Sequence, residues 1–104
     1  MTALTDDEVI LWKALFDASG DGMVVLRLDG SVYRANPQYA EMLGYSPEEM
    51  TALHVWDWDL NFTPEELREM LRAVDRAGAH IETRQRRKDG DTIDVELTNS
   101  GALY

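Results

Sequence analysis

Apolar residues recur at helical spacing in two segments of the chain. In residues 6–18 the apolar positions at this spacing are Val9, Trp12, Leu15 and Phe16, with Ile10 and Leu11 beside them. In residues 64–77 they follow the i, i+3, i+4, i+7 pattern and are Leu67, Met70, Leu71 and Val74. Both segments are therefore predicted to form helices that bury one apolar face, and Gly78 is expected to end the second helix.

Three prolines mark helix starts. Each follows a residue that can cap a helix, in the pairs Asn36-Pro37, Ser46-Pro47 and Thr63-Pro64. Proline suits the first helical position because its missing N–H would have no partner there, while the preceding side-chain oxygen accepts a free backbone N–H. A glutamate stands three residues after Ser46, Thr63 and Thr5, which is the pattern of a capping box. Short helices are thus predicted over residues 37–43, ending at Gly44, and over residues 46–53.

An Asp-Gly pair in each half of the chain predicts a hairpin. Residues 23–28 form a nearly continuous apolar run, so this strand is expected to be buried on both faces before the chain turns at Asp29-Gly30 into residues 31–35. The aromatic segment 54–62 has no clear period and is predicted to be an irregular or short helical connection.

The register of the second hairpin, which turns at Asp89-Gly90, follows from which residues can share a face. A two-residue loop would mix charged and apolar residues on one face. Moving the strand pairing by one residue reverses which face of a strand is buried, so the choice of loop decides which residues share the buried face. A three-residue loop over residues 88–90 is therefore favoured. It pairs Gln85 with Ile93, Thr83 with Val95, Ile81 with Leu97 and Arg84 with Asp94.

Length and composition indicate one globular domain and exclude several functions. The chain has 104 residues, 20 acidic against 10 basic side chains, and a net charge of −10, which opposes binding to nucleic acid or to an anionic membrane. It has no cysteine, which excludes thiolate catalysis and thioether-linked chromophores. The polar N-terminus is not a signal peptide and no segment is apolar enough to insert in a membrane, so the cytoplasm is the expected location.

Several segments together resemble a PAS domain, the sensory module of many signalling proteins. They are Leu15-Phe16-Asp17-Ala18-Ser19, Asp21-Gly22-Met23, Leu28-Asp29-Gly30, Ala35-Asn36-Pro37, Met42-Leu43-Gly44-Tyr45-Ser46-Pro47-Glu48-Glu49-Met50, and Arg86-Arg87-Lys88-Asp89-Gly90. The resemblance covers about residues 15–100, and its middle block is the most recognisable signature of the family.

The resemblance implies an α+β fold, with helices on one face of an antiparallel sheet and an additional N-terminal helix. A PAS sheet has five strands, and the last of them, which lies centrally, is expected to be missing from this chain. The expected organisation is an N-terminal amphipathic helix, residues 1–20, followed by a C-terminally truncated PAS domain, residues 21–104.

The resemblance further implies an input module that senses a signal and regulates a covalently linked output domain. A diguanylate cyclase is favoured as that output, with a histidine kinase next, and the chain itself is not expected to be an enzyme. A homodimer is expected, with an interface formed by Val9, Trp12, Leu15 and Phe16. The alternative is a strict receptor for a small organic ligand, flavin or haem.

A ligand would lie in a pocket between the helices and the sheet. The residues expected to line it are Asn36, Tyr39, Met42, Trp56, Trp58, Phe62 and Met70. The simpler interpretation is that these side chains fill the core, so no cofactor is expected in the isolated domain. His54 and His80 are too few for a metal cluster, no metal site is predicted, and the long helix offers no axial histidine to a haem.

Overall fold

The computed structural model describes residues 5–73 and 79–99. Its elements are α1 (Asp6–Ala18), β1 (Val24–Leu26), β2 (Val32–Ala35), α2 (Pro37–Leu43), α3 (Pro47–Met50), a 3-10 helix (Val55–Asp57), α4 (Pro64–Ala73), β3 (Ala79–Arg86) and β4 (Thr92–Asn99). The predicted order of helices and hairpins is confirmed. The predicted C-terminal part of α4, with Val74 and Gly78, lies outside the described residues.

The helix starts follow the predicted caps. Asn36 Oδ1 accepts a hydrogen bond from the Tyr39 N–H, and Ser46 and Thr63 each exchange two bonds with the glutamate three residues later. Gly44 ends α2 with a φ of 84°, a left-handed conformation in which glycine has no Cβ to clash. Local sequence therefore determines where the short helices begin and where α2 ends.

The two hairpins form separate two-stranded antiparallel sheets within the described residues. In the second, Gln85 faces Ile93, Thr83 faces Val95 and Arg84 faces Asp94, as the three-residue loop predicted. In the first, the register shifts between Val25 and Leu26. Its β1 strand is half-buried along its length, so the prediction that it is buried on both faces is wrong for the described fold.

A connecting segment, residues 53–60, holds the two hairpins together. Near its start, the Val32 N–H donates to the Leu53 carbonyl and the Val55 N–H to that of Gly30. Near its end, the Leu60 N–H donates to the Arg84 carbonyl. The segment contains the 3-10 helix, which agrees with the predicted irregular or short helical connection. Because it bonds to both hairpins, it fixes the distance between the two sheets.

The core lies between the first hairpin, the short helices and the connecting segment. Its buried apolar side chains are Val32, Ala35, Tyr39, Ala40, Leu43, Met50, Val55, Trp58 and Leu67. Burial of this apolar surface is the main stabilising contribution to the fold.

Candidate functional site

A small cavity lies where the two hairpins, α2, α4 and the connecting segment meet. Its volume is about 80 Å³. The apolar part of its wall is formed by Val24, Leu26, Val55, Phe62, Leu67, Met70, Leu71, Ile81 and Leu97. Its polar part is formed by Tyr39, Trp58, Asp59, Thr83 and Gln85, all of which are buried. Polar groups that converge in an apolar cavity are typical of small-molecule sites.

Strand β3 brings two polar side chains into this cavity. Thr83 and Gln85 alternate with exposed residues and therefore point to the same buried side of the hairpin. Thr83 Oγ1 donates to Asp59 Oδ2 at 3.0 Å, and Asp59 Oδ1 accepts the Asn61 N–H at 3.0 Å. The Asp59 carboxylate is only 7% exposed, so these bonds offset part of its desolvation.

Tyr39 connects α2 to the second hairpin. Its hydroxyl donates to Gln85 Oε1 at 3.2 Å, and its ring meets the Trp58 ring edge-on with centroids 6.1 Å apart. Burial raises the pKa of Tyr39 to about 12. The phenol therefore keeps its proton at neutral pH and acts as a hydrogen-bond donor.

Trp58 leaves a polar group without a well-aligned partner. Trp58 is 1% exposed, and its indole Nε1 makes no well-aligned hydrogen bond among the described residues, although it lies close enough to the Tyr39 hydroxyl to oppose the rise of that group's pKa. A buried donor without an acceptor costs about 1–3 kcal/mol. Because Trp58 is part of the cavity wall, an acceptor atom bound in the cavity could remove that cost.

Four of the seven predicted pocket residues come together in the cavity, namely Tyr39, Trp58, Phe62 and Met70. Met42 packs against the core elsewhere, and Trp56 packs on Gly30 and stacks on His54. Sequence reasoning missed Asp59, Thr83 and Gln85. The predicted register had already placed Thr83 and Gln85 opposite apolar residues, so a signal for their burial was present.

Asn36, the remaining predicted pocket residue, joins three elements and does not line the cavity. Its Oδ1 accepts the N–H groups of Met23 and Tyr39, both at 2.9 Å. Its Nδ2 donates to the carbonyls of Phe16 at 3.1 Å and Asp21 at 2.9 Å. The amide is fully buried and fully engaged, so Asn36 links the end of α1 to the starts of β1 and α2.

Comparison with known proteins decides the family, because the PAS domain family model matches residues 20–102. This chain belongs to the PAS domain family. The PAS domain of an HTR-like protein from Haloarcula marismortui is 29% identical, with a TM-score of 0.78 over 89% of this chain and 78% of that one.

Two other similar structures support the PAS fold. A PAS domain from a two-component sensor histidine kinase is 20% identical, with a TM-score of 0.75 over 91% of this chain and 85% of that one. A domain of a sensory box sensor histidine kinase/response regulator from Geobacter sulfurreducens is 23% identical, with a TM-score of 0.72 over 88% and 82%. No match was found among curated proteins.

A PAS domain is a sensory module of signalling proteins and is not itself catalytic. Within the described part of the chain, no helix has both the length and the apolar character needed to cross a bilayer. The cavity of this PAS domain is about 80 Å³, well below the ~300–1000 Å³ of sites for larger ligands. The described residues that line it include no histidine.

A second candidate site lies on α1, which precedes the residues that the family model matches. Of the predicted interface residues, Leu15 is 64% exposed, Trp12 41% and Val9 36%. Phe16 instead packs into its own chain at 3% exposure, with the Arg34 guanidinium 5.6 Å from its ring centroid. Trp12 stacks on Phe16 with centroids 5.2 Å apart. Phe16 therefore docks α1 on the PAS domain and is not available to a partner.

Proposed function

We propose that this PAS domain is a cytoplasmic input module that dimerises through α1 and regulates a linked output domain. The observation that carries the proposal is the apolar surface that α1 turns outward. Ile10 is 66% exposed, Leu11 60% and Leu15 64%. An apolar helix face of this kind is stable in water when it is covered by another surface.

Helical geometry separates this outward surface from the docked one. At 100° per residue, Trp12 and Phe16 lie on one face of α1, and the stripe of Leu11, Leu15 and Ala18 is centred about 110° around the helix from them. The first side is used by the PAS domain itself. The second has the i, i+4, i+7 spacing of a helix-packing seam, which suits the same seam on a second copy in a two-fold interface.

The output domain is the less specified part of the proposal. The sequence favours a diguanylate cyclase over a histidine kinase, and two proteins of the same fold come from sensor histidine kinases. In either case the PAS domain supplies no catalytic group. A change in the packing of the two α1 helices would alter how the linked output domains meet.

Light scattering on purified variants tests the dimer. The change Leu11→Glu with Leu15→Glu should convert a dimer into a monomer, with an unchanged circular dichroism spectrum, because both side chains are exposed in the single chain. Lys13→Glu is the matched control, since it also lowers the net charge by two, and it should stay dimeric. A monomeric wild-type chain at high micromolar concentration, or a dimeric double variant, would contradict the proposal.

A second candidate function is a receptor for a small ligand. The Trp58 Nε1 in the cavity wall favours it, because this buried donor makes no well-aligned hydrogen bond among the described residues. The ligand would be small and mainly apolar, with one acceptor atom facing the indole. Mass spectrometry of a methanol extract of the purified protein should find a compound that the cavity-filling variant Leu71→Phe lacks. If the extracts of the wild type and of Leu71→Phe contain the same compounds in the same amounts, this function is excluded.

A further inference from the structure

The exposed face of the second hairpin brings two carboxylates and an imidazole together. The register places Glu82 directly opposite Glu96, and His80 lies two residues before Glu82 on the same face of β3. One ligand atom from each of His80, Glu82 and Glu96 lies within 4.8 Å of the other two. We infer that these three residues form a binding site for Zn²⁺ or a similar transition-metal ion.

Among the described residues, neither glutamate forms an ion pair, and the two arginines that share their face of the hairpin are engaged elsewhere. The neighbouring cross-strand pair is complementary, because Arg84 Nε lies 3.3 Å from Asp94 Oδ1. Arg86 turns instead to the backbone carbonyl of Asp57, at 3.2 Å. Like charges directly opposite one another destabilise a sheet, and the chain already has a net charge of −10. A bound divalent cation would turn this repulsion into attraction.

The donor set determines which cation fits. Zinc accepts imidazole nitrogen and carboxylate oxygen together, often with three protein ligands and one open position. Magnesium and calcium prefer sites made of oxygen alone, so His80 selects against them. In a tetrahedral zinc site the ligand atoms are about 3.4 Å apart. The three side chains are exposed, and they need to close by at most about 1.4 Å (4.8 minus 3.4).

The hairpin also supplies rigidity and access. All three residues lie inside strands that are paired over eight successive positions, so their Cα atoms are held in place by backbone hydrogen bonds. The exposed side chains give a metal ion a direct path from solvent. The site is separate from both the cavity and α1, so the inference does not rest on the proposed function.

Calorimetric titration with zinc chloride tests the site, using tag-free protein that has first been treated with a chelator. One ion should bind per chain, and His80→Ala and Glu82→Gln should each weaken binding at least about tenfold. The chain has one other histidine, His54, so His54→Ala is the matched control and should bind as the wild type does. Magnesium chloride at the same concentration should give no binding heat.

Nuclear magnetic resonance gives an independent result. Zinc should shift the imidazole resonances of His80 and leave those of His54 in place. Equal affinities for the wild type and His80→Ala, or a loss of binding in His54→Ala that matches the loss in His80→Ala, would overturn the proposal. All three ligand positions are exposed, so the substitutions should leave the circular dichroism spectrum unchanged and a loss of binding is not a loss of folding.

Discussion

Gly30 shows how a single residue positions a large aromatic side chain. It adopts a φ of 89°, which a residue with a Cβ rarely takes, and a Cβ at this position would overlap with the six-membered ring of Trp56. Trp56 thus packs directly on the backbone of the first hairpin turn. This contact accounts for its position outside the cavity.

Gly30→Ala should therefore destabilise the domain more than Gly90→Ala does. Gly90 has a similar φ of 96°, but a Cβ there would meet no atom within 4 Å. Strained φ alone costs about 1–2 kcal/mol, and overpacking against Trp56 adds about 1–3 kcal/mol. Urea unfolding of both variants measures the difference in the free energy of unfolding. Equal losses would show that the Trp56 contact contributes nothing.

Asn36 offers a second prediction at the residue scale, because its two ends serve different elements. Asn36→Asp keeps the oxygen that accepts the Met23 and Tyr39 N–H groups, but it loses the donor to the Phe16 and Asp21 carbonyls. A carboxylate oxygen would then face two carbonyl oxygens. We expect amide hydrogen exchange to accelerate in α1 while the start of α2 stays protected.

Asn36→Ala is the companion variant, because it removes both ends of the amide. It should destabilise the whole domain by at least about 2 kcal/mol, since buried groups lose their partners. Asn61→Ala, at an exposed position, serves as the control. If the α1 amide hydrogens exchange at the same rate in Asn36→Asp as in the wild type, the assigned link between α1 and the rest of the fold is refuted.

At the scale of elements, α4 is anchored chiefly by Leu67. This side chain is 6% exposed and belongs to the core, whereas Leu71 and Met70 are half-buried in the wall of the cavity. The helical pattern predicted the apolar face correctly for these three residues. It could not rank them, because helical spacing carries no information on what each one packs against.

Leu67→Ala should lower the free energy of unfolding by about 2–5 kcal/mol, the range for a fully buried leucine. Leu71→Ala should cost about half as much, because the cavity already deprives Leu71 of some neighbours. Urea unfolding measures both values, provided that the free energy of unfolding of each variant falls with urea concentration at the same slope. A larger loss for Leu71 than for Leu67 would mean that α4 is rotated relative to the described packing.

The sequence correctly predicted the features that depend on residues close by in the chain. Caps and a left-handed glycine depend on residues three or four positions away, and the hairpin register depends on one loop and the alternation around it. The cavity was predicted only in part. Whether Trp56 or Trp58 faces inward is decided by Gly30, which is distant in sequence, and Asp59 is buried only because β3 supplies Thr83.

At the scale of the whole molecule, the second hairpin is held at two places. The connecting segment bonds to β3, and the tip of the hairpin docks on the corner between α2 and α3. There the Lys88 N–H donates to the Leu43 carbonyl at 2.8 Å, and Lys88 Nζ forms an ion pair with Glu49. Glu49 also accepts the Ser46 N–H at 2.9 Å, so one carboxylate serves both the cap of α3 and the hairpin.

This ion pair makes part of the stability depend on pH. The hydrogen bond from Lys88, followed by that from the Ser46 N–H, lowers the pKa of Glu49 below its ordinary value. A carboxylate with a lowered folded pKa contributes stability above its unfolded pKa of about 4.3, and the contribution is lost as the pH falls through the folded pKa. Both partners are about half exposed, so the effect should be small and weaker at high salt.

Lys88→Gln separates this contribution from the rest of the acid response. At pH 7 the variant should unfold at a lower urea concentration than the wild type, and the two midpoints should converge as the pH falls through the lowered folded pKa of Glu49, because Glu49 then becomes protonated in both proteins. The chain has one other lysine, and Lys13→Gln is the matched control, since Lys13 forms no ion pair among the described residues. A gap between the Lys88→Gln and wild-type midpoints that does not narrow as the pH is lowered would instead assign the effect to packing of the Lys88 side chain on the Tyr45 ring, whose centroid lies 5.8 Å from Lys88 Nζ.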